Sequence, residues 1–255
     1  MAEKSVRAVP KRSSRPASSD GDGNEIRNEI LLSLPREECG MVFSRLEFVR
    51  LKALQVLHEV GDSVRSAYFC NTGMISTLSV FPDGKSVEVG LVGKEGFLGL
   101  PLVAGLRSSS VRANVQIEGT AFRIDAAALV ECLQRCPALM QRLLLFSQVM
   151  TMQVTQIAAC NRIHSVEERL ARWLLMCADR AGDHRLPLTQ ELLGQMLGTR
   201  RASVTIAAGV LQRAGFIDYR RGEVMIVNRQ KLEETTCVCY QMIQQQIEKW
   251  RNEAS

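Results

Sequence analysis

The sequence predicts an α+β fold in three successive parts: an antiparallel jelly roll, one long helix, and a small helical domain closed by a two-stranded wing. Three observations carry this. Short apolar runs punctuated by Gly and Asp fill residues 56–124, a helical period runs unbroken from about Pro137 to Ile163, and two short amphipathic patterns flank a glycine between Thr189 and Gln212. The chain has 255 residues, 46% of them hydrophobic, enough for two ordinary domains with real cores.

Residues 1–23 are Ser, Pro, Lys, Arg, Gly and Asp with almost no apolar content, so they cannot offset the entropy of ordering and a disordered tail is expected. Ile26, Ile30, Leu31 and Leu34 then take helical spacing, Pro35 interrupts, and Met41 to Leu46 reads as a further short helix. Asp83-Gly84 between two alternating runs is a hairpin signal, because that pair accepts the positive φ of a tight turn. Gly61-Asp62, Asn71-Thr72-Gly73 and Glu118-Gly119 mark further turns, which divides the region into roughly eight strands of about five residues.

From Pro137 to Ile163, Leu139, Leu143, Phe146, Met150, Gln153, Ile157 and Cys160 alternate by four and three, the seam of a coiled coil. Dimerisation through this stripe is the expectation; packing of the same helix on its own roll is the alternative. Val166, Leu170, Trp173, Leu174 and Cys177 fit an amphipathic helix with Gly182 as its stop, opening the last domain. Next, Thr189 suits an N-cap, and Leu192, Leu193, Met196 and Leu197 share one face before Gly198 turns the chain. In the following helix Val204, Ala208 and Leu211 face inward, leaving Arg200, Arg201, Ser203 and Thr205 outward. Phe216, Ile217 and Tyr219, a turn over Arg220 to Glu223, then Val224, Ile226 and Val227 read as a wing. Two helices around one turn, the second presenting arginines and hydroxyls, form a winged helix-turn-helix that reads the major groove of DNA. Tyr240, Ile243, Ile247 and Trp250 lie along one side of a terminal helix, placed here as a cap on the wing domain.

Between Arg185 and Lys231 eight Lys or Arg stand against three acids, so this segment carries +5, equal to the formal charge of the whole chain. A basic excess gathered on the turn and second helix suits phosphate contacts. The three histidines (58, 164, 184) show no spacing for a metal or a nucleophile, and no Walker or dinucleotide motif occurs, so no enzymatic activity and no metal site is expected. The eight cysteines lack a disulfide framework's density; Cys132/Cys136 and Cys237/Cys239 are close pairs, but neither pair alone supplies four ligands. With no signal-like apolar leader, a cytoplasmic protein away from membranes is expected.

The stretches SVEVGLVGKEGFLG, CNRIHSVEERLARWLL and LPLTQELLGQMLGTRRASVTIAAGVLQRAGFI, in that order over residues 25–235, resemble the Crp/Fnr family of bacterial transcription regulators. The resemblance implies five divisions: a tail over 1–24, a cyclic-nucleotide-binding-like effector domain over 25–136, a dimerisation helix over 137–163, the DNA-binding domain over 164–231, and a helical extension over 232–255. It also implies a homodimer on double-stranded DNA that reads an inverted repeat and contacts RNA polymerase. The expected dimer contacts are Leu139, Leu143, Phe146, Met150, Gln153 and Ile157. The expected DNA contacts are Arg201, Ser203 and Thr205 on bases and Arg200, Arg220 and Arg221 on phosphates, with Thr189 beside them. Where members that bind cyclic AMP open this helix Arg-Glu-Thr-Val-Gly-Arg, this chain has Arg201, Ala202, Ser203, Val204, Thr205 and Ile206, which predicts a different operator.

The family's nucleotide site pairs a Gly-Glu turn with Arg-Ser; here Gly99 precedes Leu100, while Arg107-Ser108 keeps the second pair, and Thr155 completes the candidate ligand set. The acid that holds the ribose is absent, so the effector is unassigned, a cyclic nucleotide or another small anion being the candidates. No Fe-S cluster is expected, since the first cysteine is the lone Cys39. Two rival readings are a sensing module whose second domain binds a protein, and a thiol redox switch using Cys132, Cys136, Cys237 and Cys239.

Overall fold

The computed structural model describes residues 19–20 and 22–253, so most of the expected N-terminal tail lies outside the described residues. Two short helices, α1 (Glu29–Leu32) and α2 (Arg36–Phe43), open the ordered chain. Asn28 caps α1 and its buried amide also donates to the carbonyls of Cys70 and Gly96, pinning this entry to the roll. The second helix starts earlier than the sequence suggested, because Pro35 serves as its N-cap rather than as a separator inside a loop.

The roll is a six-stranded antiparallel sheet of β1 (Leu46–Leu51), β2 (Val56–His58), β3 (Ser66–Val80), β4 (Ser86–Val92), β5 (Phe97–Leu98) and β6 (Arg112–Asp125), with α3 (Leu100–Val103) between the last two. It has fewer and longer strands than the eight expected. The difference arises at Asn71-Thr72-Gly73 and Glu118-Gly119, which read as turns but are bulges inside β3 and β6, where the pairing slips between Cys70 and Met74 and then resumes. A Cβ on Gly119 would stand 2.1 Å from the Thr72 carbonyl oxygen, so these glycines permit two backbones to pass rather than one to reverse. Asp83-Gly84 does close the β3–β4 hairpin, with Gly84 at φ +83°.

After α4 (Ala126–Arg135), the 27-residue α5 (Pro137–Ile163) crosses the roll. Its length and hydropathy would by themselves suffice to cross a bilayer; one side, with Leu139, Leu143 and Phe146, is buried in the roll's core, while the other is exposed. Then come α6 (Val166–Ala181), β7 (Arg185–Leu186), α7 (Gln190–Met196), α8 (Arg201–Arg213), β8 (Ile217–Arg220), β9 (Glu223–Ile226), α9 (Arg229–Thr235) and α10 (Cys239–Glu253). A Ser165/Glu168 capping box starts α6 and Gly182 ends it in the left-handed region. The strands β7, β9 and β8 form the wing sheet.

The terminal helix packs partly on the wing domain, where Tyr240, Ile243 and Ile247 share an apolar cluster with Ile217 and Val224 and the Tyr240 hydroxyl donates to Asp179 at 2.9 Å. It also folds back along α5: Trp250 packs edge-on to Phe146 at 6.3 Å, and Arg251 pairs bidentately with Glu29 at 2.8 and 2.9 Å. The two halves of the molecule also share a core, since Met74, Leu78 and Leu91 of the roll lie in one apolar cluster with Trp173, Leu193, Val204 and Ile217. Polar ties reinforce it. Arg180 of α6 pairs with buried Glu95 at 2.8 Å and donates to Gln153 of α5 at the same distance, and Glu88 of β4 accepts from Trp173 Nε1 at 2.6 Å.

Candidate nucleic-acid interface

The turn between α7 and α8 is built as the residues demand. Thr189 Oγ1 accepts from the Leu192 amide at 3.2 Å, capping α7, and Gly198 reverses the chain at φ +58°. Val204, Ala207, Ala208 and Leu211 are buried, which orients the opposite face of α8 outward. Arg200, the N-cap, makes no side-chain cap bond, and its carbonyl accepts from the Ser203 and Val204 amides.

Thr189, Gln190, Arg201, Tyr219, Arg221 and Gly222 line one open cleft of ≈ 410 Å3, where the start of the second helix meets the wing turn. The structure thus brings Thr189, Arg201 and Arg221 together and sets exposed Arg200 and Thr205 beside them. Ser203 is half-buried, and Arg220 lies exposed on β8, where Asp218 pairs with it at 2.9 Å. Sequence reasoning missed Gln190, whose Oε1 accepts from Thr205 Oγ1 at 2.9 Å and so orients a candidate base contact. It also missed Tyr219; burial holds its hydroxyl above the ordinary tyrosine range against the nearby Arg201 charge. Arg221 sits at φ +50°, a left-handed position in the wing turn that carries its side chain into the cleft. On the same helix Ile206 is 65% exposed, an apolar side chain with no intramolecular use.

The heptad seam takes the second of its two expected placements, on the chain's own roll. Leu139, Leu143, Phe146, Gln153 and Ile157 are buried within the chain, and Met150 is half-buried against Gly90. These residues hold α5 on its own roll: Phe146 reaches into the space beside Gly96, and Gln153 donates to the Leu91 carbonyl. A seven-residue period says that a helix has one long apolar partner and is silent about which one. The outer side of α5 carries a second stripe of the same period, Leu144, Thr151, Val154 and Ala158, all exposed.

The candidate effector residues are dispersed. Gly99 sits at φ +141° before α3, where a Cβ would meet Ala67 and Phe97, a steric role. Arg107 and Ser108 are exposed on the loop ahead of β6, with Ser108 bridged to Ser63. Thr155 is exposed on α5 and donates to the Thr151 carbonyl at 2.9 Å.

All eight cysteines are buried. Cys132 and Cys136 belong to the roll's core, whereas Cys237 and Cys239 join Cys160 in a separate cluster. Cys160 beside Cys237 draws the latter's thiol well below the ordinary range, and burial pushes Cys177 and Cys70 up.

Residues 48–136 match the cyclic nucleotide-binding domain family and residues 168–235 the Crp-like helix-turn-helix domain, which together take in more than half of the chain. The chain belongs to the Crp/Fnr family of transcription regulators. Solved Crp/Fnr structures share the fold. FixK2 from Bradyrhizobium japonicum aligns at TM-score 0.64 and 16% identity over 75% of this chain and 98% of its own. A putative Crp/Fnr regulator from Eubacterium rectale gives 0.64 and 17% over 79% and 94%. The c-di-GMP-responsive regulator CLP of Xanthomonas campestris gives 0.63 and 16% over 74% and 98%. Comparison with curated proteins found no match by sequence.

Proposed function

We propose that this Crp/Fnr regulator acts as a cytoplasmic homodimer on an inverted-repeat operator and contacts RNA polymerase, with α8 in the major groove and the wing turn on the flanking backbone. The observation that carries the DNA reading is the cleft that joins Arg201 to Arg221 beside the start of α8. Arg201, Thr205 and Ser203 read bases; Arg200, Arg220, Arg221 and Thr189 hold phosphates. Exposed Ile206 suits the methyl group of thymine, where an arginine would seek guanine. The dimer forms through the outer stripe of α5, Leu144, Thr151, Val154 and Ala158, which leaves the inner stripe on the roll.

Anisotropy titration of genomic fragments across a salt series tests this. Log affinity should fall linearly with log salt, and Arg200→Ala should reduce the slope by about one, its share of a phosphate contact. An affinity indifferent to salt leaves the rival in which the second domain binds a protein. For the effector, Arg107 and Ser108 form the anion-facing pair, supported by Gly99 and, from α5, Thr155. A thermal-shift screen should include cyclic mononucleotides and, given the likeness to CLP, c-di-GMP.

A further inference from the structure

The last turn of α5 and the loop before α10 carry four side chains that neither the roll nor the DNA-binding face uses. Cys160 and His164, four residues apart, fall on one side of the helix end, and the His164 amide donates to the Cys160 carbonyl at 3.1 Å, which holds their spacing. Cys237 and Cys239 arrive from the other end of the wing domain with exposed Val238 between them, both thiols turned inward. The Sγ of Cys160, Cys237 and Cys239 and a ring nitrogen of His164 all lie within 4.8 Å of one another. Two edges of this tetrad are already short: Cys160 Sγ to Cys237 Sγ is 3.5 Å, and Cys239 Sγ to His164 Nδ1 is 3.5 Å.

Those lengths identify the occupant. Zinc bonds of about 2.3 Å to sulfur and about 2.0 Å to nitrogen, set at tetrahedral angles, put two sulfurs about 3.8 Å apart and sulfur about 3.5 Å from nitrogen. The two 3.5 Å edges are already of that size, and no separation in the tetrad exceeds 4.8 Å. Hard cations are the wrong class, because the four donors include no oxygen. A multi-iron cluster would need its sulfurs spread over several metal centres, and this tetrad closes on a single point.

The surroundings agree on charge. Three thiolates around a divalent ion leave one negative charge, and burial of that charge requires a cation nearby. Arg169 and Arg172 of α6 are both buried within electrostatic reach of Cys160 and Cys237, and the Nε of each finds no hydrogen-bond partner among the described residues. Gln156 Nε2 donates to Cys239 Sγ at 3.0 Å, the outer hydrogen bond by which a metal thiolate is held in orientation.

We propose that Cys160, His164, Cys237 and Cys239 bind one thiophilic divalent ion, zinc by chemistry, in a closed Cys3His site that staples the end of α5 to the start of α10. This site is independent of the DNA-binding reading. Its place gives it a consequence, because the Ser165 capping box that begins the DNA-binding domain follows His164 directly. The ion would join the two chain segments that enter and leave that domain, adding to the shared core and the Arg180–Glu95 pair that hold it to the roll.

The test is titration of the reduced, chelator-treated full chain with Co2+, followed by displacement with Zn2+. One Co2+ per chain with the intense tetrahedral ligand-field bands and thiolate charge-transfer absorption is expected, abolished stoichiometrically by Zn2+. Cys237→Ser/Cys239→Ser should lower the bound metal to background and His164→Ala should weaken it while keeping thiolate absorption. The wild-type spectrum decides without any variant: absence of stoichiometric Co2+, or an octahedral spectrum free of thiolate absorption, overturns the proposal. So does a Cys160–Cys237 disulfide that re-forms after reduction in the presence of Zn2+, which would assign the group to thiol exchange.

Discussion

Glu88 is the side chain through which pH should act on this fold. It is buried, accepts from Trp173 Nε1 and Ser76 Oγ, each at 2.6 Å, and faces Arg172 and Arg180 of α6 along with the Cys177 thiol. Burial outweighs those donors and cations and pushes its carboxyl up to about 7, from an ordinary 4.5. Below pH 4.5 the group is neutral in both folded and unfolded chains and adds no pH dependence. Between 4.5 and about 7 the unfolded chain gives up its proton while the native chain keeps it, so stability falls as pH rises. Above that window both are charged, and a carboxyl raised from 4.5 to about 7 corresponds to roughly 3 kcal/mol of lost stability. Glu88→Gln removes the titration and keeps both contacts: its carbonyl accepts from Trp173 and its amide donates to the Ser76 hydroxyl. Urea unfolding of both proteins at pH 5 and pH 8 should show the variant the more stable at pH 8 by up to about 3 kcal/mol, with the gap closing at pH 5. Equal pH slopes for the two proteins would refute the account and place the charged form of Glu88 comfortably beside Arg172 and Arg180.

Other expectations are as direct. Leu144→Glu/Val154→Glu should give a monomer in sedimentation equilibrium, because it places charge on the exposed stripe of α5; a dimer that survives it uses another surface. Phe146→Ala should cost about 3–5 kcal/mol in denaturant unfolding, since the ring fills the space between Gly96 and Trp250 and leaves a cavity there. Ile206→Ala should lower affinity by roughly 1 kcal/mol for operators with thymine opposite it and leave operators with uracil at that position unchanged, read by anisotropy.

Local chemistry made the DNA-facing half readable. Thr189 caps, Gly198 turns, and Val204 and Leu211 point inward because each obeys a rule that operates within one or two turns of chain. The same rules misread Gly73 and Gly119, whose missing side chains serve two strands passing each other, a relation between residues 46 positions apart. The seam on α5 left two partners open for a related reason: the period of Leu139 to Ile157 is legible in the sequence, but only the folded roll shows that these side chains pack on the chain itself. The tetrad escaped for the same reason. Cys160 and Cys237 are separated by the whole DNA-binding domain in sequence and by 3.5 Å in space.

That short distance also settles how the DNA-binding domain is hung. A domain on one strand of linker pivots freely, like a pennant. Here the chain enters at Ser165 and leaves at Thr236, whose hydroxyl reaches the Glu168 carbonyl at 3.5 Å, and both ends meet the same corner of α5. Two anchors side by side make a gate on one post. The far edge of the gate rests on the roll, where Gln195 bonds Ser86 and Gly198 lies against Val87. Between post and edge, Trp173 and Arg180 of α6 bind Glu88 and Glu95 of the roll, so the hairpin and α8 are coupled through packed side chains along the whole leaf.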